Sequence, residues 1–277
     1  MKNVKQQTDK NVKPLVSIIT VTRNSAKTLE ATIQSILNQS YDNIEYIIID
    51  GESHDETLDI INNYKKNIKY LISEKDVNLY DAMNKGLQLS SGEIIGIVNS
   101  DDWIERNTVE LVVDNMIKYP ESDLFHGNIN FINDNDEIAG IGKPKLYKSA
   151  KYLGSPFYHA TCFVTKRAYD KYGMFDIGFP IMADYDLILR LLNHGINAKY
   201  INEILSNVRS GGVSDGKLDF NEAMRESRSV KRKNNCSQLP SFIGELIHRI
   251  KFYTLKYLKK WNLKQIIKLY RIIKNAS

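Results

Sequence analysis

The sequence predicts an α/β protein: a doubly wound, Rossmann-like, mostly parallel central sheet flanked by helices, followed by a helical tail at the C-terminus. Short continuous runs of Ile, Val and Leu alternate with segments of helical spacing through the first hundred residues, the pattern of parallel strands buried on both faces. Polar clusters follow three of these runs. Lys and Arg crowd the last stretch of the chain among apolar residues that also recur at helical spacing.

Leu15 to Val21 reads as the first strand, followed by a helix carrying Leu29, Ile33, Ile36 and Leu37 with Ser25 as its N-cap. Ile44 to Ile49 is a second strand ending at Asp50-Gly51, and Asp55 is placed to cap a helix with Leu58, Ile60 and Ile61. A third strand, Ile68 to Ile72, precedes a helix near Tyr80 to Leu89 closed by Ser91-Gly92. The fourth, Glu93 to Val98, runs into Asn99-Ser100-Asp101-Asp102-Trp103. Beyond Tyr119-Pro120 the texture changes: strand-like stretches at Asp123 to Phe131 and Tyr158 to Thr165, a hairpin turn at Asn133 to Asp136, and a helix at Asp184 to Asn193 ended by Gly195. The expected organisation is a polar N-terminus (1–13), one domain (14–233) with halves 14–120 and 121–233, and a tail (234–277) entered through a linker at Asn234 to Pro240.

The chain, 277 residues with 42% hydrophobic and 26% charged, can bury a sizeable core and reads as an ordinary soluble globular protein. Cys162 and Cys236 form no close-spaced pair, which suits a reducing, cytoplasmic compartment and argues against a thiolate metal site. The first residues lack the apolar run of an export signal, and no apolar stretch reaches the roughly 20 residues of a membrane span. The net charge is +5; Ser241 to Ser277 holds nine Lys/Arg against Glu245, so the tail carries +8 and the remainder −3.

In doubly wound sheets ligands bind beyond the carboxyl ends of the strands, so Arg23-Asn24, Asp50 to Ser53 and Ser100 to Asp102 should converge. Adjacent acids after a buried strand are costly to place together unless something neutralises them. Asp101-Asp102 therefore suits a hard divalent cation that takes its other ligands from substrate phosphates and water; an acidic helix cap is the competing reading. A carboxylate such as Asp50 can accept hydrogen bonds from a nucleobase or ribose, with Gly51 allowing close approach, or it can serve a plain turn. No Gly-x-Gly-x-x-Gly and no Gly-Lys-Ser/Thr loop occurs, which argues against a dinucleotide-dependent oxidoreductase or a P-loop enzyme.

Four ordered segments, Ser17 to Asn24, Asp50 to Thr57, Ser73 to Gly86 and Asn99 to Trp103, resemble the successive motifs of family 2 glycosyltransferases, in particular the bacterial branch that builds surface polysaccharides, colanic-acid-type enzymes included. The likeness spans about Pro14 to Ser214 and leaves out the tail. It implies a GT-A fold, inversion at the anomeric carbon, and a nucleotide-diphosphate-sugar donor, UDP-linked by preference, with Mn²⁺ or Mg²⁺. Residues 14–120 become the nucleotide-sugar-binding half and 121–233 the acceptor-side half. Carried over by position, Val21, Arg23, Asp50, Glu52 and Asp101 contact the donor and Asp102 the metal. Asp184 stands at the second acid of the family's Glu-Asp pair and is the expected base, with Ala183 in place of the first; a helix N-cap at Asp184, with Asp186 in the first turn, is the structural alternative. His159 matches a histidine near the acceptor and donor sugar. Arg209, opening the Gly-hinged segment to Ser214, is placed to counter charge on the leaving diphosphate. His159 and Arg209 could equally be a structural histidine and part of a flexible loop.

Between Phe242 and Ile273 the tail reads as basic amphipathic helix suited to an anionic membrane surface, which would set the protein on the inner face of the membrane beside a glycan or lipid-linked acceptor. Packing on the core, or a homo-oligomer contact, is the alternative. Two rival functions use the same residues differently. A sugar-1-phosphate nucleotidylyltransferase wants a Gly-rich basic loop after the first strand, and Arg23-Asn24-Ser25 is not one. A non-catalytic nucleotide-sugar-binding scaffold would have little use for Asp50, Asp101, Asp102 and Asp184 together. The acidic body offers no groove for nucleic acid.

Overall fold

The structure is a computed structural model that describes residues 13–145, 154–209 and 220–236, together with isolated positions 246, 249, 250 and 254. Apart from Asn234 to Cys236 and those positions, the tail and its expected membrane helix lie outside the described residues, as does the hinged segment after Arg209.

Four parallel strands form the first half of one sheet: β1 (Val16–Thr22), β2 (Ile44–Asp50), β3 (Tyr70–Ser73) and β4 (Ile94–Ile97), in the order β3-β2-β1-β4. The β-branched content of β1, β2 and β4 follows from burial on two sides, while β3 is a partly exposed edge strand. Ile19 and Val21 of β1, with Ile47 and Ile49 of β2, face one apolar cluster, while Val16 and Ile18, with Tyr46 and Ile48, face the other. Each fully buried isoleucine contributes about 1.5–3 kcal/mol of transfer free energy, so this alternation fixes the register. The helices α1 (Leu29–Leu37), α2 (Thr57–Asn63) and α4 (Thr108–Lys118) cover the second cluster. The first is covered by α3 (Leu79–Leu89), α5 (Lys166–Tyr172) and α6 (Ala183–Asn193).

The sheet then changes character. β8 (Phe163–Thr165) pairs antiparallel with β4 and with β6 (Leu124–Ile132), and β9 (Ala198–Arg209) runs parallel to β6. A two-residue strand, β5 (Trp103–Ile104), closes this edge antiparallel to β9, and β7 (Ile138–Gly142) forms a hairpin on β6. The hairpin turn lies where the sequence places it, with Asn133 Oδ1 accepting from the amides of Asn135 and Glu137 and Asp136 in the left-handed region at φ 58°. Gly195 follows α6 at φ +72°, the usual reason for a glycine beyond a helix end.

Several expectations are corrected. The α1 helix begins at Leu29 after Thr28; Ser25 is not its side-chain cap, and instead its carbonyl accepts from the amides of Thr28 and Leu29. Asp55 is likewise not the cap of α2: Glu56 holds the N-cap position with no side-chain cap, and Asp55 sits one residue earlier, its Oδ1 accepting from the Thr57 amide at 3.1 Å. The stretch read as a strand from Tyr158 splits, because His159–Thr161 turns as a 3₁₀ helix before the short β8. Asn234 and Cys236, read as linker, are buried: Cys236 packs with Tyr185, Leu189 and Val230 behind a helix the sequence did not reveal, α7 (Phe220–Lys233).

Candidate functional site

The parallel registers bring the strand ends level, Thr22 opposite Asp50 and Asp50 opposite Ser73. The loops that follow are tied to one another. Asn24, in the left-handed region at φ 50°, donates its amide to Ser53 Oγ at 2.8 Å and accepts from the His54 amide at 2.8 Å. The Ser25 hydroxyl meets that of Ser100 at 2.8 Å, joining the end of β1 to the loop after β4. The convergence expected from topology is therefore built by side-chain hydrogen bonds.

Within this edge the expected donor residues take different positions. Asp50 is fully buried, its Oδ2 accepting from the Ser53 amide at 3.0 Å and from Ser73 Oγ at 2.6 Å while Oδ1 takes the Ser53 hydroxyl. Val21 is 3% exposed and belongs to the apolar cluster under α3. Arg23 is exposed, with its methylenes against Gly51, and Glu52 is exposed at φ 59°.

The acidic pair sits after β4. Asp102 is buried, and the partners of its carboxylate are weak ones: the Arg209 amide at 3.2 Å on Oδ1 and Asn99 Nδ2 at 3.4 Å on Oδ2. Burial, and then the neighbouring charge of Asp101, push Asp102 up to about 8. Asp101 is also raised by burial, against the opposing pull of Arg209. Two further polar atoms on this edge, Thr22 Oγ1 and Asn99 Oδ1, are buried with no hydrogen-bond partner among the described residues. Arg209 ends β9 directly over the pair: its Nη1 donates to the Asp101 carbonyl at 3.1 Å, its guanidinium lies 4.5 Å from the Trp103 ring centroid, and Nε reaches Asp136 at 3.2 Å. Among the described residues no three His, Cys, Asp or Glu side chains form a metal cluster. Asp101 and Asp102 with their unspent charge fit a hard cation that draws its other ligands from phosphate oxygens and water.

A second group gathers at the start of α6, on the same edge of the sheet because Tyr80 opens α3 just beyond β3. The Tyr80 hydroxyl lies 3.2 Å from Asp184 Oδ1 and donates to the Ile181 carbonyl at 3.0 Å, and the Tyr185 amide donates to Asp184 Oδ1 at 2.7 Å. Asp184 is thus held in the first turn of α6 while Met182 occupies the N-cap position. His159 belongs with it: burial disfavours the imidazolium, and the Asp184 carboxylate opposes that effect. Burial, then Asp184, raise the Cys162 thiol as well, so that thiol stays protonated at neutral pH.

The contacts of three residues of this region escaped the sequence reading. Glu226 of α7 accepts from the amides of Ile181 and Met182 at 2.9 and 3.0 Å, satisfying donors just ahead of α6 from a distant helix. Tyr80 lies within a quoted motif, yet nothing in spacing links it to Asp184. Asp186, expected as a first-turn acid and found there, is fully buried and bonded to Asn234 Nδ2 and Lys233 Nζ at 2.9 Å each, partners that the sequence did not indicate.

Comparison with known proteins follows the same lines. The model of "Glycosyl transferase family 2" matches residues 17–173. The chain is 28% identical over 212 residues to a PGL/p-HBAD biosynthesis glycosyltransferase of Mycobacterium tuberculosis, covering 74% of this chain and 81% of the relative. It is 31% identical over 226 residues to the Escherichia coli UDP-Glc:alpha-D-GlcNAc-diphosphoundecaprenol beta-1,3-glucosyltransferase WfaP, covering 78% and 86%. Among solved structures, S. aureus TarS 1-349 in complex with UDP-GlcNAc matches with a TM-score of 0.62 at 18% identity, covering 78% of this chain and 66% of that one. Against a longer TarS chain the match spans 39% of its length. At such identity the likeness is one of fold.

Proposed function

The chain belongs to glycosyl transferase family 2 and has the GT-A fold, and from that premise we propose that it is an inverting, metal-dependent transferase moving a sugar from a UDP-sugar to a glycan or lipid-linked acceptor in surface polysaccharide synthesis. The observation that carries the proposal is Asp102: a buried carboxylate beside Asp101, raised to about 8 and met, among the described residues, by two long hydrogen bonds, is costly to maintain unless a cation uses it.

In this reading Asp102, aided by Asp101, would hold Mn²⁺ or Mg²⁺, which when bound would neutralise the diphosphate as it leaves. Arg209, stacked on Trp103 and held at the Asp101 carbonyl, is pre-oriented to oppose the same developing charge. The acceptor hydroxyl attacks the anomeric carbon as the bond to the diphosphate oxygen breaks, and Asp184 Oδ2 takes its proton. Tyr80 and the Tyr185 amide engage Oδ1, leaving the other oxygen for the base. His159 would line the acceptor side beside Asp184. The WfaP name includes a diphosphoundecaprenol acceptor, which supports a lipid-linked one here. The proposed membrane contact is peripheral, through the basic tail; no helix among the described residues is long and apolar enough to cross a membrane.

Calorimetry of UDP binding with and without Mn²⁺ tests the proposal. Wild-type protein should bind UDP more tightly with the metal, and Asp102→Ala should lose that dependence; a metal enhancement of UDP binding that persists undiminished in Asp102→Ala would remove it.

A further inference from the structure

The carboxylate expected to read the nucleobase, Asp50, is poorly placed for it. Both of its oxygens are occupied by Ser53 and Ser73, and no part of the residue reaches solvent. A hydrogen bond to a ligand would have to displace one of these, leaving a buried hydroxyl or amide unpaired at a cost of about 1–3 kcal/mol. Asp50 instead clamps the end of β2 to its own turn and to β3.

A different carboxylate occupies the space above Gly51. A Cβ on Gly51 would lie 2.8 Å from Asp76 Oδ2 and 3.4 Å from Cδ of Arg23, so the missing side chain makes room for Asp76 beside Arg23. Asp76 is anchored through its other oxygen: Lys85 Nζ donates to Oδ1 at 2.8 Å, also pairs with Glu74 at 2.7 Å, and stands 3.7 Å from Asp81. The Val77 amide donates to Asp81 Oδ2 at 3.0 Å, which ties the turn between β3 and α3 to the helix. One oxygen of Asp76 is therefore held, and the other faces the strand-end surface between Gly51 and Arg23.

We propose that Asp76, positioned by Lys85, is the carboxylate that accepts the ring N–H of the donor's nucleobase above Gly51, and that Asp50 is a scaffold residue. The proposal rests on the nucleotide-sugar reading above and specifies its base pocket. Uracil presents N3–H to such a carboxylate, whereas cytosine presents a lone pair at N3. Asp76 therefore selects UDP over CDP. Lys85 is a positioning residue, acting only through Asp76.

Calorimetry of UDP and CDP in saturating Mg²⁺ reads the selectivity directly. Wild-type protein should favour UDP by about tenfold or more, the size of one charged hydrogen bond. Asp76→Asn, whose amide can donate to cytosine N3, should bring the two affinities to within a few-fold, while Asp50→Asn lowers the melting temperature and keeps the preference. Lys85→Met should narrow the preference and Lys85→Arg restore it, a pattern that a merely structural lysine would not give; this pair carries the test if Asp76→Asn does not fold. An unchanged preference in folded Asp76→Asn, or its collapse in folded Asp50→Asn, overturns the proposal. Wild-type protein that binds neither nucleotide removes the donor reading itself, and the proposal with it.

Discussion

The backbone amide of Arg209 donates to Asp102 Oδ1 at 3.2 Å, joining residues 107 positions apart. The end of β9 is thereby fixed on the loop after β4, and Arg209 is carried over the acidic pair by backbone and side chain together. Neither contact offsets the burial of Asp102, whose proton affinity remains far above that of an ordinary carboxylate.

The first prediction follows from that affinity. The folded value of about 8 lies above the ordinary 3.8, so the folded state holds a proton that the unfolded chain has released, and the ligand-free protein loses stability as pH rises between those limits. Metal binding needs the ionised carboxylate. The rise in melting temperature given by Mg²⁺ with UDP should be larger at pH 8 than at pH 6, and Asp102→Asn should show almost none at either. Equal shifts at both pH values would contradict the assignment.

β1, β2 and β4 were legible because strands buried on two faces must be continuously apolar, and their polar ends then mark the site; β3 is an edge strand with Tyr70 and Leu71 exposed. What was hidden is equally physical. α7 buries Met224, Ser227, Val230 and Lys231, a helical face on which two of four residues are polar, so no apolar stripe betrays it. β9 alternates poorly because it exposes Glu203 and buries Ser206 and Asn207, the latter bonded to Asn130 and Glu105. Asp50 and Asp76 show the limit within the site: one acid ends β2 and the other follows β3, and only their partners tell which one is already satisfied.

Asp184→Asn should separate binding from chemistry. The amide oxygen can still accept from the Tyr185 amide and lie beside the Tyr80 hydroxyl, so the first turn of α6 keeps its geometry, while the group that takes the acceptor proton is gone. Transfer should fall by about 10²–10⁴, the usual worth of a general base, with UDP affinity unchanged. Wild-type turnover in a coupled assay for UDP release would assign the base elsewhere.

Arg209→Met keeps apolar contact with Trp103 and removes the charge. If the guanidinium opposes charge that grows on the leaving diphosphate, kcat should drop by about 10²–10³ with a smaller change in KM. Loss confined to KM would mean that Arg209 holds the ground-state donor equally well and contributes nothing specific to the departing group.

The last prediction lies away from the site. His126 of β6 is buried, stacked on Phe157 at 3.8 Å between ring centroids and near Tyr200 at 5.6 Å, and its Nδ1 has no hydrogen-bond partner among the described residues. Burial lowers it from 6.5 to about 4. For a base depressed in this way, the folded state resists a proton that the unfolded chain accepts. The associated stability is complete above pH 6.5 and is lost as pH falls towards 4, by an amount of ~3 kcal/mol at most. His126→Phe keeps the stack and cannot titrate, so its melting temperature should fall less than that of wild type between pH 7 and pH 4.5. Parallel pH profiles for the two proteins would show that His126 is protonated as readily in the fold as outside it, which its burial against Phe157 should forbid.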